Sequence, residues 1–234
     1  MQAPNLAQTA NSLHSRRTRI KMCGFTREQD VDAACAAGAD ALGFIFYDKS
    51  RRYVSAERAG VLSRRRDVFV SSVALFVEPE EALVTSVLEA MHPSYLQFHG
   101  HETPAFCAQF NWPYVKAFRV GAPDLDTPER VLAACHAHMG ACAWLFDSYT
   151  PAYGGSGHSF DHSLLSAVLA DRARPVILSG GLNQGNVAQL IQQIEPAAVD
   201  VSSGIETEPG IKSPEKMAAF VTQVQQADHD KPWL

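Results

Sequence analysis

The sequence is short of what several functional classes require. Charged residues make up only 19% of its 234 residues and the net charge is −5. There is therefore no basic stripe of the kind that releases counterions from nucleic acid. The run Arg64-Arg65-Arg66 reads as a solvated helix end. The five cysteines, Cys23, Cys35, Cys107, Cys135 and Cys142, are odd in number and lack any CxxC spacing. That speaks against a disulfide framework or a structural zinc site and points to a reducing cytoplasm. Residues 1–18 hold Pro, Gln, Asn, Ser and two arginines but no long apolar stretch, so neither a secretory signal nor a membrane span is expected there. They read as a loose tail ahead of one domain over 19–234. No GxxxxGK[ST] phosphate loop is present, and Gly155-Ser156-Gly157 lacks the third glycine of a dinucleotide fingerprint.

What is present is a repeating alternation. Hydrophobic residues are 46% of the chain, enough for a large core in one domain. The organising stretch is 19–54. A strand at 19–23 ends in Cys23 and Gly24, and Thr26 with Gln29 has the spacing of a capping box that opens a helix. A turn at Gly38 leads to a second apolar run at 41–46, followed by Arg51 and Arg52. Further strands are expected at 68–77, 95–98, 114–118, 143–146, 175–178 and 198–201. Helices are expected at 55–65, 79–91, 103–110, 127–139, 163–170, 183–194 and 213–226. Eight strand–helix units demand a parallel sheet with helices outside, which at this length is a single closed (β/α)8 TIM barrel of the α/β class. One excursion, 148–160, is glycine-containing and reads as a lid.

In such a barrel chemistry sits where strands end. Those ends carry Cys23, Arg52, His99, Asp147, Ser179-Gly180-Gly181 and Ser202-Ser203-Gly204. The two glycine loops after strands seven and eight suit a phosphate held by backbone N–H groups, although each alone could be a tight turn. Cys23 is either a small buried hydrophobe or a thiolate in an electropositive mouth, with Lys21 facing the interior or the substrate. Asp147 follows an apolar strand whose desolvation would favour a protonated acid, and the competing reading is a carboxylate capping the next turn. His99 and His101 lack a third ligand, so no metal is expected and hydrogen-bonded loop histidines fit better. Arg52 either pairs with Asp48 at the surface or forks onto a carboxylate. The other four cysteines read as packing or surface thiols.

Taken together, these motifs resemble the phosphoribosylanthranilate isomerase family of tryptophan biosynthesis from about Arg19 to the last helix. The resemblance rests on 21–26, 38–44 with 50–55, and 96–100. It also rests on Asp147 with 150–157, on 178–183 and on 199–206. It implies a cofactor-free Amadori rearrangement of N-(5-phosphoribosyl)anthranilate, with Cys23 as general base and Asp147 as general acid. Arg52 would hold the anthranilate carboxylate, and Gly180, Gly181, Ser202, Ser203 and Gly204 the phosphate. Lys21, His99 and the lid residues Gly155, Ser156 and Gly157 would complete the substrate site. The partner expected is a small phosphorylated substrate, and the protein a free-standing monomer or weak homodimer. Met22 and Phe25 replace the family's usual isoleucines, and His162 replaces a tryptophan in a way that could alter lid closure. The related histidine-pathway isomerase needs aspartates where this chain has Cys23 and Phe118-Arg119. A sugar-phosphate epimerase needs metal ligands, and a silent phosphate-binding sensor would not need Cys23 and Asp147.

Overall fold

The computed structural model describes residues 17–149 and 159–230. Strands and helices alternate as β1 (Arg19–Cys23), α1 (Glu28–Ala37), β2 (Ala41–Ile45), α2 (Ala56–Ser63), β3 (Ser71–Phe76), α3 (Glu81–Met91), β4 (Tyr95–Phe98) and α4 (Pro104–Ala108). They continue as β5 (Tyr114–Val120), α5 (Pro128–Ala137), β6 (Ala143–Ser148), α6 (Ser166–Asp171), β7 (Val176–Leu178), α7 (Val187–Ile194) and β8 (Ala198–Val201). A short antiparallel hairpin, β9 (Glu206–Glu208) and β10 (Ile211–Lys212), precedes α8 (Pro214–His229). The first eight strands close into a barrel, β8 returning in parallel to β1 with Lys21 opposite Asp200 and Met22 opposite Val201. This is the (β/α)8 barrel expected from the alternation.

The two-residue period of each strand sorts side chains into two compartments. Ile20, Met22, Leu96, Phe98, Trp144, Phe146, Val199 and Val201 pack in the large core between strands and helices. The intervening residues face the barrel axis in two small apolar groups. One holds Cys23, Ile45, Leu75 and Val77, the other Val115, Ala117, Ala143 and Leu145. Helices start where the sequence supplies caps. Ser55, Thr103, Thr127 and Ser213 each accept an N–H from the first turn, and in the last three cases a proline follows at the first helical turn. Each such cap contributes about 1 kcal/mol.

Local departures have local causes. The capping box does not form: α1 opens after Arg27 with no side-chain cap, because the Thr26 hydroxyl donates instead to the Gly210 carbonyl at 2.9 Å. Strand β3 begins at Ser71, three residues after the expected start. Val68 and Phe69 are 79% and 99% exposed, and Phe69 has a φ of 73°, which cannot continue a strand. The hairpin β9–β10 was not foreseen. Thr18, counted with the tail in the sequence, is buried, and its N–H and hydroxyl donate to Asp228 at 2.6 and 2.7 Å. Among the described residues no helix is long and apolar enough to cross a membrane.

Candidate functional site

Strand β1 places Lys21 and Cys23 on the axial face, one below the other. Lys21 donates to Asp200 on β8 at 2.8 Å, both side chains being 7% exposed. Lys21 thus faces the barrel interior. Burial works against its charge, but Asp200 and the Cys23 sulfur hold it above the usual lysine value. The second oxygen of Asp200 is buried with no hydrogen-bond partner among the described residues.

Cys23 is only 3% exposed. Its sulfur fits because the neighbouring strand has Gly43 opposite, where a Cβ would come within 2.5 Å of Sγ. Burial, the largest influence, pushes the thiol up; Lys21 pulls it down, Asp200 pushes up, Lys212 pulls down, and burial prevails. This corrects the expectation of a thiolate favoured by an open electropositive mouth. The strand end is closed off, and desolvation disfavours the anion.

Arg52 is buried rather than paired with Asp48. It forks onto Glu206 of β9, with Nε to Oε1 at 2.8 Å and Nη2 to Oε2 at 2.7 Å. The carboxylate that its planar fork meets is therefore one of the chain's own. That contact uses the Nε–Nη2 edge; a guanidinium has a second two-nitrogen edge, Nη1–Nη2. Gly24 is required at this point twice over, by its φ of 88° and because a Cβ there would meet Arg52 Cδ at 2.5 Å. Glu206 also accepts from Lys212 Nζ at 2.7 Å and from the Gly210 N–H at 3.2 Å. Burial pushes the Glu206 carboxyl up, but Arg52 and Lys212 outweigh it and hold the group below its usual range. Sequence reasoning missed both Glu206 and Lys212 as site residues. The available signal was Glu206 at the end of the Ser202-Ser203-Gly204 motif, followed by a Pro-Gly turn into Lys212.

Across the barrel, Asp147 at the end of β6 faces the axis two residues beyond Leu145. Its Oδ1 accepts from the Ser148 N–H at 2.9 Å and its Oδ2 lies 3.2 Å from His99 Nε2. Its surroundings are thus polar, not the apolar strand end expected from Trp144-Leu145-Phe146, because those flanking aromatics face the helices. Gln97, fully buried on the same face of β4 as His99, places Nε2 3.2 Å from His99 Nδ1. With the amide donating to Nδ1, the imidazole carries its proton on Nε2, the nitrogen that lies 3.2 Å from Asp147. Oε1 of Gln97 is left buried without a hydrogen-bond partner among the described residues. His101, by contrast, is exposed.

The two glycine loops stand side by side. Gly180 and Gly181 after β7 have φ of 87° and 65°. A Cβ on Gly180 would meet the Ser148 nitrogen at 2.8 Å, and one on Gly204 the Leu182 carbonyl oxygen at 2.0 Å. Gly204 therefore lets the loop after β8 lie directly on the loop after β7. Ser202 spends its hydroxyl on the Cys23 carbonyl at 3.0 Å, while Ser203 opens a 3-10 turn, Ser203–Ile205. Helix α7 begins at Val187, four residues later than expected, since Asn183 and Asn186 close the intervening turn with their side chains. Gly155, Ser156 and Gly157 lie outside the described residues, as does most of the 148–160 excursion. Among the described residues no group of three or more His, Cys, Asp or Glu converges as metal ligands would.

The model of the N-(5'-phosphoribosyl)anthranilate isomerase family matches residues 20–223. The chain is 54% identical over 213 residues to the N-(5'-phosphoribosyl)anthranilate isomerase of Bordetella petrii, covering 91% of this chain and 97% of that one. A solved phosphoribosylanthranilate isomerase in complex with reduced 1-(o-carboxyphenylamino)-1-deoxyribulose 5-phosphate superposes with a TM-score of 0.77 at 33% identity, covering 89% of this chain and 99% of that one. Monomers generated from the dimeric phosphoribosylanthranilate isomerase of Thermotoga maritima superpose with a TM-score of 0.76 at 34% identity, over 89% of this chain and 99% of that one.

Proposed function

The chain belongs to the N-(5'-phosphoribosyl)anthranilate isomerase family and is an isomerase, and on that premise we propose that it converts N-(5-phosphoribosyl)anthranilate to 1-(2-carboxyphenylamino)-1-deoxyribulose 5-phosphate in tryptophan biosynthesis. The observation that carries this reading is the meeting, at one end of one barrel, of a thiol on β1, a carboxyl on β6 and two interlocked glycine loops after β7 and β8. An Amadori rearrangement needs a proton given and a proton taken at neighbouring centres, with the sugar phosphate anchored at a distance.

Asp147, as the acid, protonates the furanose ring oxygen while the C1′–O bond breaks to an iminium with the anthranilate nitrogen. Cys23, as thiolate, takes the C2′ proton to give the enolamine. The enol then releases its hydroxyl proton and C1′ gains one, so substrate and product differ by no net proton, and the enzyme is restored when the Cys23 thiol gives up its proton and Asp147 takes one. His99 supports Asp147 in this scheme, its Nε2 lying 3.2 Å from the carboxylate left after transfer. Arg52 offers its Nη1–Nη2 edge to the anthranilate carboxylate, Glu206 holding the other edge. The glycine loops hold the phosphate through backbone N–H groups, and that remote binding contributes several kcal/mol of orientation. Lys21 acts from beneath, through Cys23, and Gly155, Ser156 and Gly157 take part in substrate binding. We assign the protein to the cytoplasm, as a monomer or weak homodimer.

Loss of phosphoribosylanthranilate fluorescence with purified protein, with and without a chelator, tests the reading. Turnover indifferent to the chelator is expected; no turnover, or turnover abolished by the chelator, overturns it.

A further inference from the structure

Desolvation of Cys23 leaves a base that is hard to ionise, and the surrounding charges must offset it. Among the described residues four charged side chains act on it, and a fifth, Glu206, is joined to it through two of them. Lys21 comes from β1, Asp200 from β8, Arg52 from the loop after β2, Glu206 from β9 and Lys212 from β10. Of these Lys212 has the least evident purpose. Its side chain is completely buried. An ammonium so placed is costly unless every donor is used. Here each of its three donors has an acceptor: the Cys23 carbonyl at 2.5 Å, Glu206 Oε1 at 2.7 Å and the Ser202 carbonyl at 3.2 Å. It also lies 5.6 Å from the centre of the Phe25 ring. Its own N–H donates to Asp30 at 3.2 Å, which pins β10 against α1. The hairpin β9–β10 thus delivers a cation to the backbone of one particular residue.

We propose that Lys212 is a positioning residue for Cys23, holding the end of β1 through the Cys23 carbonyl and supplying positive charge that lets the thiol ionise. The proposal rests on the reading of Cys23 as the base. Glu206 is the counterweight: it anchors Lys212 and Arg52 but also offsets their charge. The cluster at the sulfur, with Glu206 joined to it through Arg52 and Lys212, holds three cations and two carboxylates among the described residues. Removing Lys212 makes the count two and two; neutralising Glu206 makes it three and one. The two changes must move the thiol in opposite directions, whereas loss of packing alone would loosen the site and speed alkylation in both.

The test is the pH dependence of iodoacetamide alkylation at Cys23, followed by mass spectrometry of its peptide in the full chain, for the parent, Lys212→Met and Glu206→Gln. An opposite charge within a few ångström shifts a titration by about one pH unit or more. Lys212→Met should therefore raise the alkylation midpoint by about one unit, with about tenfold slower labelling at neutral pH. Glu206→Gln should lower it. Shifts of the same sign in both variants, or midpoints equal to the parent's, overturn the proposal. Should Lys212→Met fail to fold, Glu206→Gln decides alone, a raised or unchanged midpoint overturning it. Turnover of the parent is measured in parallel. Its absence would remove the isomerase reading, while the thiol titration would still decide the role of Lys212.

Discussion

His138, at the end of α5, lets one perturbation be followed from structure to a measured number. The residue is 7% exposed, its Nδ1 is buried without a hydrogen-bond partner among the described residues, and Phe118 packs edge-on at 6.0 Å between ring centres. Burial, then the charge of Lys116, depress it from 6.5 to about 4, against a smaller opposing pull from Glu102. A histidine depressed on folding contributes stability that is complete above the unfolded value and lost as pH falls through the window from 6.5 to 4. In that window the unfolded chain binds a proton that the barrel refuses. At pH 5 the unfolded site is mostly charged and the folded one mostly neutral, a gap of about 1.5 units. At 1.36 kcal/mol per unit this amounts to about 2 kcal/mol. His138→Leu removes the titration and keeps an apolar contact with Phe118. Urea unfolding of both proteins at pH 7 and pH 5 isolates the term, because the carboxylates common to both cancel in the double difference. The parent should lose about 2 kcal/mol more than the variant between the two pH values. Equal losses, or an NMR titration of His138 near 6.5, would refute the reasoning.

Three further outcomes are expected. Asp147→Asn should lower turnover by ~10²–10⁴ while a product analogue still binds, because the amide keeps the contact with the Ser148 N–H but has no acid proton; calorimetry and the fluorescence assay together check it, and turnover within a few-fold of the parent would remove the acid. Gly204→Ala, whose Cβ would sit 2.0 Å from the Leu182 oxygen, should separate the two glycine loops and weaken phosphorylated ligands far more than a dephosphorylated analogue, with equal weakening counting against a phosphate role. Asp228→Ala strands two buried donors of Thr18 and should cost about 2–3 kcal/mol, read as a fall of several degrees in Tm; an unchanged Tm would show that the start of β1 is held some other way.

The sequence by itself determined the architecture and the end of the barrel at which to look. Buried parallel strands are continuous apolar runs, helices carry their own caps at Ser55, Thr103, Thr127 and Ser213, and these are local properties that a single chain displays in order. Eight such units leave one closed arrangement, and strand ends then put Cys23 and Asp147 at the same mouth. Boundaries failed where a local signal had a distant competitor. The Thr26 hydroxyl is taken by Gly210, 184 positions away, and the β-branched run at Val68 is turned aside at Phe69.

Only the tertiary structure decided who partners whom. Arg52 meets Glu206 across 154 positions, Lys21 meets Asp200 across 179, and Lys212 meets the Cys23 carbonyl across 189. Each of these pairs exists because β8 closes on β1 and the following hairpin folds over the seam. The same closure buries Cys23 and so reverses the direction in which its thiol was expected to move. Residue type and spacing show which side chains reach a barrel mouth. Desolvation and charge pairing depend on which strands become neighbours when the sheet closes, and that is a property of the assembled barrel alone.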